Sequence, residues 1–227
     1  MGRKPPRVTA QDLETPAGRR RAWAGLLLSD HGLLRYLYSN IHQISPRMWR
    51  SFQPAPFHLR RFKKMGVQTV VNLRGPSDTG FYQLEKEACE QLGLTLIDFK
   101  VYSRDTPSKE ALHSARELFQ RIDYPAVMHC KSGSDRVGFM SALYLFVHEN
   151  RPLADALQQL SLRYGHVRQG KTGVIDHFFD AYKAYNAETP TPFYDWVDRI
   201  YDPAATKASF MESWWGSLLT ERVLRRE

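Results

Sequence analysis

Along the chain the spacing of apolar positions changes repeatedly, and each change marks a predicted element. Short apolar runs and two-residue alternation predict strands at 40–44, 48–51, 69–73, 95–101 and 126–129. Apolar residues three and four positions apart predict helices between them, at 56–65, 81–92 and 109–122. Strands that alternate with helices in this way argue for an α/β fold with a central, mostly parallel sheet flanked by helices. Further helical patterns follow at 137–149, 153–164 and 173–187. Upstream, 23–37 interrupts its apolar clusters with Asp30, His31 and Gly32, which reads as a broken helix. At the other end, 210–224 is expected to set Phe210, Trp214, Trp215, Leu218 and Leu219 on one helical face, closed by Arg222, Arg225 and Arg226. Such a helix docks on a core or lies along a membrane surface. The expected organisation is a basic flexible tail over 1–22, one α/β domain over 23–190 and a helical extension over 191–227.

Composition sharpens this picture. A chain of 227 residues with 42% hydrophobic content can bury one core. The net charge of +8 is uneven: residues 1–75 carry 14 Lys or Arg against 3 Asp or Glu, so the first third is strongly basic. Basic segments attract anionic lipid, nucleic acid or phosphorylated substrates. No nucleic-acid-binding motif is present, which leaves a phosphorylated substrate and an anionic membrane surface as the expected partners. No apolar run approaches the roughly 20 residues that span a bilayer, and the apolar stretch after Arg19, Arg20 and Arg21 is too short for a signal peptide. Met1-Gly2 opens like an acylation site, but Pro6 stands where Ser or Thr is required. Two cysteines exclude a disulfide framework, and the expected location is cytoplasmic, with peripheral attachment to the inner face of a membrane as the extension of that reading.

The candidate chemistry lies in His129-Cys130-Lys131-Ser132-Gly133-Ser134-Asp135-Arg136, where the strand at 126–129 hands over to a helix. Backbone N–H groups at such a turn converge on an anion, aided by the helix dipole, so Ser132, Gly133 and Ser134 are expected to line a phosphate. The same field favours thiolate over thiol, which makes Cys130 the expected nucleophile. Arg136 supplies a planar fork for two phosphate oxygens. Together they suit a phosphocysteine intermediate, with no metal and no organic cofactor. The other reading of Cys130 is a buried structural cysteine. Cys89, inside the helix at 81–92, is read as buried, with a protective disulfide to Cys130 as its alternative.

The Cys-x5-Arg spacing, with His before the cysteine and Gly third after it, resembles the signature of the protein tyrosine phosphatases. It is nearest the dual-specificity-like branch whose loop opens His-Cys-Lys-x-Gly. Trp49-Arg50-Ser51-Phe52-Gln53-Pro54 and the segment from Gly66 to Arg74 are also similar to that branch, so the likeness runs over about 38–185. A rhodanese- or arsenate-reductase-like enzyme is the rival, and it fits the upstream element order less well. The resemblance implies phosphomonoester hydrolysis, with a proton supplied by an Asp on an upstream loop. Asp105, within 102–108, matches that place; capping the helix that begins near Ser108 is its other reading. Asp98 belongs to a strand. Some related phosphatases use an Asp directly before the Arg, so Asp135 is also a candidate, with Asp105 narrowly ahead. The family implies that His129 orders the loop, and that Lys131 faces strongly anionic phosphates. An anionic lipid or polyol phosphate is therefore the expected substrate. A phosphotyrosine or dual-specificity protein phosphatase is the alternative, and a catalytically weak phosphate-binding module the second. Most members carry Ser or Thr after the Arg, whereas Val137 stands here, so breakdown of the phosphoenzyme falls to the loop amides, Ser132 or Ser134, or is slower. A substrate-lining element follows the loop helices in the family. That makes His166, Arg168 and Gln169 candidate rim residues, or members of an ordinary solvated link.

Overall fold

The computed structural model describes residues 7–29 and 39–224, with side chains to Leu28 and from Ser39 to Trp215. Expectations for residues 1–6 and 30–38, for the side chains of Leu218, Leu219 and Arg222, and for Arg225 and Arg226 lie outside the described residues. In chain order the principal elements are α1 (Pro16–Ala24), β1 (His42–Ser45), β2 (Met48–Ser51), α2 (Pro56–Lys64), β3 (Thr69–Asn72), α3 (Gly80–Leu92) and β4 (Thr95–Asp98). They continue with α4 (Lys109–Arg121), β5 (Ala126–His129), α5 (Asp135–Leu143), α6 (Val174–Glu188), α7 (Phe193–Arg199) and α8 (Pro203–Leu224). The chain forms two compact units, Met1–Val101 with Arg121–Ser141 and Tyr102–Gln120 with Ala142–Glu227. The expected boundaries after residues 22 and 190 do not separate them.

The first unit holds the sheet, in the order β1-β2-β5-β3-β4. β1 and β2 are antiparallel and the other three pairings are parallel, as the alternation of strands and helices predicts. Trp49 pairs with Val127, Val127 with Val70 and Val70 with Leu96, so these four side chains form one row across four strands. Successive strand residues point to opposite faces, which puts the whole row on one side. Leu59 and Phe62 of α2 and Ala88 and Cys89 of α3 pack against it. Leu59 and Phe62, both buried, each contribute roughly 1.5–3 kcal/mol. β4 ends at Asp98, short of the predicted 101, although the Phe99 and Val101 N–H groups still donate to Asn72 O and Leu73 O at 3.0 and 3.1 Å; the Asp98 side chain meets Asn72 and Tyr82. Asp98 is thus a strand residue, as expected.

Residues 7–22 are not a flexible tail. Thr15 caps α1 by accepting the Gly18 N–H at 3.1 Å, and Pro16 occupies the first helical turn. Val8, Leu13, Ala22 and Leu26 are buried with Phe81 and Leu84 of α3. Arg19 reaches both oxygens of Glu87 at 2.8 Å. The crossing is tight: a Cβ on Gly80 would lie 2.4 Å from Ala22 Cα. Basic composition suggested disorder, but the apolar residues spaced among the arginines supply a docking face.

The second unit is helical. Phe178 and Tyr182 of α6, Phe193 and Trp196 of α7, and Tyr201 form one aromatic cluster with ring centroids 5.0–6.2 Å apart. The described part of the extension is therefore folded into this unit. The predicted helix at 153–164 is instead three short turns, Leu153–Ala156, Leu157–Gln159 and Leu162–Tyr164, because Leu160 and Ser161 leave helical dihedrals. The predicted helix at 137–149 begins earlier, at Asp135, and its last stretch, Tyr144–His148, widens into π-type turns. On α8, Phe210 is buried and Trp214 donates to Gln169 O at 3.1 Å, whereas Trp215 is 55% exposed. The expected single aromatic face is thus corrected: adjacent helical residues point about 100° apart. Among the described residues no helix is long and apolar enough to cross a membrane.

Candidate active site

β5 carries the chain to His129, and the loop from Cys130 to Ser134 then turns into α5. Its carbonyl groups are drawn outward one after another. Lys131 O accepts the Gln53 N–H at 3.2 Å; Ser132 O and Gly133 O accept from Asn40 Nδ2 at 3.1 and 2.9 Å. Arg50 donates to Gly133 O at 2.8 Å and to Ser134 O at 3.3 Å. With four consecutive carbonyls held from outside, the peptide N–H groups between them are left to face the inside of the turn, which is an anion cradle at a helix N-terminus. Gly133 makes the turn possible: its φ is +75°, and a Cβ would lie 2.9 Å from Phe52 N and 3.0 Å from Asn40 Nδ2. Arg50 is fully buried, so it also sets a permanent positive charge behind the cradle.

Beneath the loop lies a second polar layer. Val127 and His129 share a face of β5, and Glu85 stands one helical turn before Cys89 on α3, so helix packing brings Glu85 to His129. His129 Nε2 is 2.6 Å from Glu85 Oε1, and both side chains are fully buried. The ring N–H does not aim along that line, so the contact is close-range electrostatics rather than an aligned hydrogen bond. Glu85 Oε2 accepts from Gln53 at 2.8 Å, and Gln53 Oε1 accepts from Arg74 at 2.7 Å. The row Arg74-Gln53-Glu85-His129 thus ends beside the cysteine.

Cys130 is buried, and so is Ser134; Lys131, Asp135 and Arg136 are half-buried and Ser132 is exposed. Asp135 opens α5 with its Oδ1 3.4 Å from Ser134 Oγ. Val137 is fully buried, so no hydroxyl is offered at that position. Asp105 belongs to the second unit, where its carboxylate meets Lys207 Nζ at 3.0 Å and the Thr106 N–H at 3.0 Å. It does not cap α4; Ser108 Oγ does, accepting the Ala111 N–H at 3.2 Å. In the same unit His166 is 1% exposed and held by Asp176 at 2.7 Å, so its ring lies inside the unit. Arg168 pairs with Asp180, and Gln169 offers its carbonyl to Trp214. Cys89 and Cys130 are both free thiols, and burial pushes the Cys89 thiol above its ordinary range. Among the described residues no group of His, Cys, Asp or Glu is arranged to hold a metal.

Residues 39–173, which contain the whole loop and both polar layers, match the family model described as DSP-PTPase phosphatase fused to NAD+ kinase. The chain belongs to this phosphatase family. Dual specificity protein phosphatase TpbA of Pseudomonas aeruginosa (strain UCBPP-PA14) is 25% identical over 148 residues, which are 65% of this chain. The chain spans 61% of the length of the curated relatives it matches. Among solved structures, P. aeruginosa TpbA has a TM-score of 0.49 and 20% identity over 63% of this chain and 90% of its own. PTPMT1 has a TM-score of 0.49 and 20% identity over 66% of this chain and 99% of its own.

Three residues around the loop escaped sequence reasoning: Asn40, Arg50 and Glu85. Glu85 left a trace, as a lone charge in the buried helical stripe Phe81, Leu84, Ala88 and Cys89. Arg50 left another, as a charge in a strand whose other residues are largely buried. Asn40 left none.

Proposed function

We propose that the chain is a cysteine-dependent phosphomonoesterase working through a phosphocysteine intermediate. The observation that carries this reading is the cradle formed by the four outward-held carbonyls of residues 131–134, with the nucleophile candidate Cys130 immediately before them. Cys130 thiolate attacks phosphorus, forming an S–P bond as the ester P–O bond breaks. Arg136 and the loop amides hold the non-bridging oxygens and take up the charge that develops on them. Asp105 or Asp135 gives a proton to the leaving oxygen. The same carboxylate then takes a proton from water, which attacks phosphorus, breaks the S–P bond and releases inorganic phosphate. Val137 cannot assist the departing thiolate, so that step falls to the amides, Ser132 or Ser134.

For the substrate, Lys131 at the loop and the basic first third favour a strongly anionic molecule, a lipid or polyol phosphate. A phosphorylated protein is the second reading, favoured by the name of the TpbA relatives, dual specificity protein phosphatases. Hydrolysis of p-nitrophenyl phosphate by wild type and by Cys130→Ser tests the chemistry. The substitution is expected to abolish turnover, because Ser is not ionised under these conditions. Equal rates in the two proteins would remove Cys130 as nucleophile, and no turnover by wild type would leave a phosphate-binding module.

A further inference from the structure

The loop that bears Asp105 is tied, residue after residue, to a part of the chain beyond the family-matched region 39–173. Lys207 Nζ of α8 lies 3.0 Å from Asp105 Oδ1. Thr106 Oγ1 donates to Pro203 O at 2.9 Å. Tyr201 OH donates to Pro107 O at 2.7 Å. The helix that follows is bound to the same region: Lys109 Nζ donates to Asp198 O at 2.9 Å, and His113 Nε2 is 2.7 Å from Asp198 Oδ1. All these groups belong to one compact unit.

The segment that makes these contacts is itself firmly held. Tyr201 is 2% exposed, stacks on Trp196 at 5.0 Å and meets Phe178 edge-on at 5.1 Å. Burial pushes its phenol above the ordinary range, so the hydroxyl remains a donor. Asp202 Oδ1 accepts the Ala204 and Ala205 N–H groups at 2.8 and 3.0 Å, fixing the start of α8 one turn before Lys207. A rigid base therefore grips a polar, proline-bearing loop at three consecutive residues, and one grip is on the carboxylate itself.

We propose that Tyr201, Pro203 and Lys207 are positioning residues for proton transfer by Asp105. Tyr201 and Pro203 fix the loop, Lys207 aims the carboxylate, and the ammonium group takes up the negative charge left on Asp105 when its proton moves to the leaving oxygen. The inference rests on the reading of Asp105 as the proton donor. It makes the C-terminal segment part of the catalytic apparatus of this chain.

Rates on two aryl phosphates test it, one with a good leaving group (p-nitrophenyl phosphate) and one with a poor leaving group (phenyl phosphate). A lost or misplaced proton donor slows the poor leaving group far more than the good one. The readout is the ratio of kcat/KM for phenyl phosphate to kcat/KM for p-nitrophenyl phosphate, which reports the step that forms the phosphoenzyme and does not depend on the fraction of folded enzyme. Wild type, Asp105→Asn, Lys207→Met and Tyr201→Phe are compared. The expected ratio falls on the order of a hundredfold in Asp105→Asn, and about tenfold in Lys207→Met and Tyr201→Phe, as for a group displaced by a fraction of an ångström. An unchanged ratio in both Lys207→Met and Tyr201→Phe, beside a fallen ratio in Asp105→Asn, overturns the positioning role and leaves Asp105 as the donor. An unchanged ratio in Asp105→Asn removes both, and passes the proton to Asp135.

Discussion

At the scale of single residues, Gly133 decides whether the cradle closes. It sits at φ +75°, where an L side chain is strained, and its missing side chain leaves room for Phe52 N and Asn40 Nδ2. Gly133→Ala is expected to cost roughly 1–3 kcal/mol of stability through that strain. It is also expected to weaken vanadate binding, because the amides that converge on the anion must shift. A melt and a vanadate titration check this, and an unchanged affinity would show that the cradle does not depend on the left-handed turn. The loop was legible in the sequence because its chemistry is local: Cys130 and Arg136 are six positions apart and flanked by a strand and a helix. Its supports were not, since Arg50 stands 83 positions from Gly133 and Asn40 stands 93. Only the sheet order brings them together. Asp105 stands only narrowly ahead of Asp135 on spacing, since each has a place in the same family.

At the scale of elements, the strand and helix pattern between 40 and 130 was read well because both periods are written in apolar spacing. The reading failed where composition replaced spacing. Arginines and prolines in 7–22 suggested a tail, yet α1 docks on α3 through Val8, Leu13, Ala22 and Leu26. The Arg19–Glu87 pair offers a test of that docking. The hydrogen bond from Arg19 holds the Glu87 carboxyl below the usual carboxylate range. A lowered folded-state value means that the pair stabilises the protein above the unfolded carboxylate value. That stability is lost as pH falls through the folded value. Both side chains are partly exposed, 44% and 28%, so solvent screening keeps the contribution small. Glu87→Gln is expected to cost about 0.5–1 kcal/mol at pH 7 and less at about pH 3, measured by urea unfolding. A cost that grows toward acid pH would contradict the sign.

At the scale of the whole molecule, charge is distributed against the average. Residues 1–75 carry 14 basic and 3 acidic side chains, while the chain as a whole is only +8. If that asymmetry serves a lipid-borne substrate, the protein is expected to bind vesicles containing anionic lipid at about 0.05 M salt and to release them at about 0.5 M, where the Debye length is only a few ångströms. Sedimentation with vesicles checks this. Salt-insensitive behaviour together with much faster hydrolysis of soluble phosphopeptides would return the substrate to phosphoprotein. The order β1-β2-β5-β3-β4 carries one more consequence. β5 is the last strand to be synthesised and the central one, so until residue 129 has left the ribosome the nascent chain holds two separate strand pairs. The cysteine follows the strand that joins them. No shorter translation product can assemble the loop, and Cys130 enters the folding chain only at the moment its sheet can close.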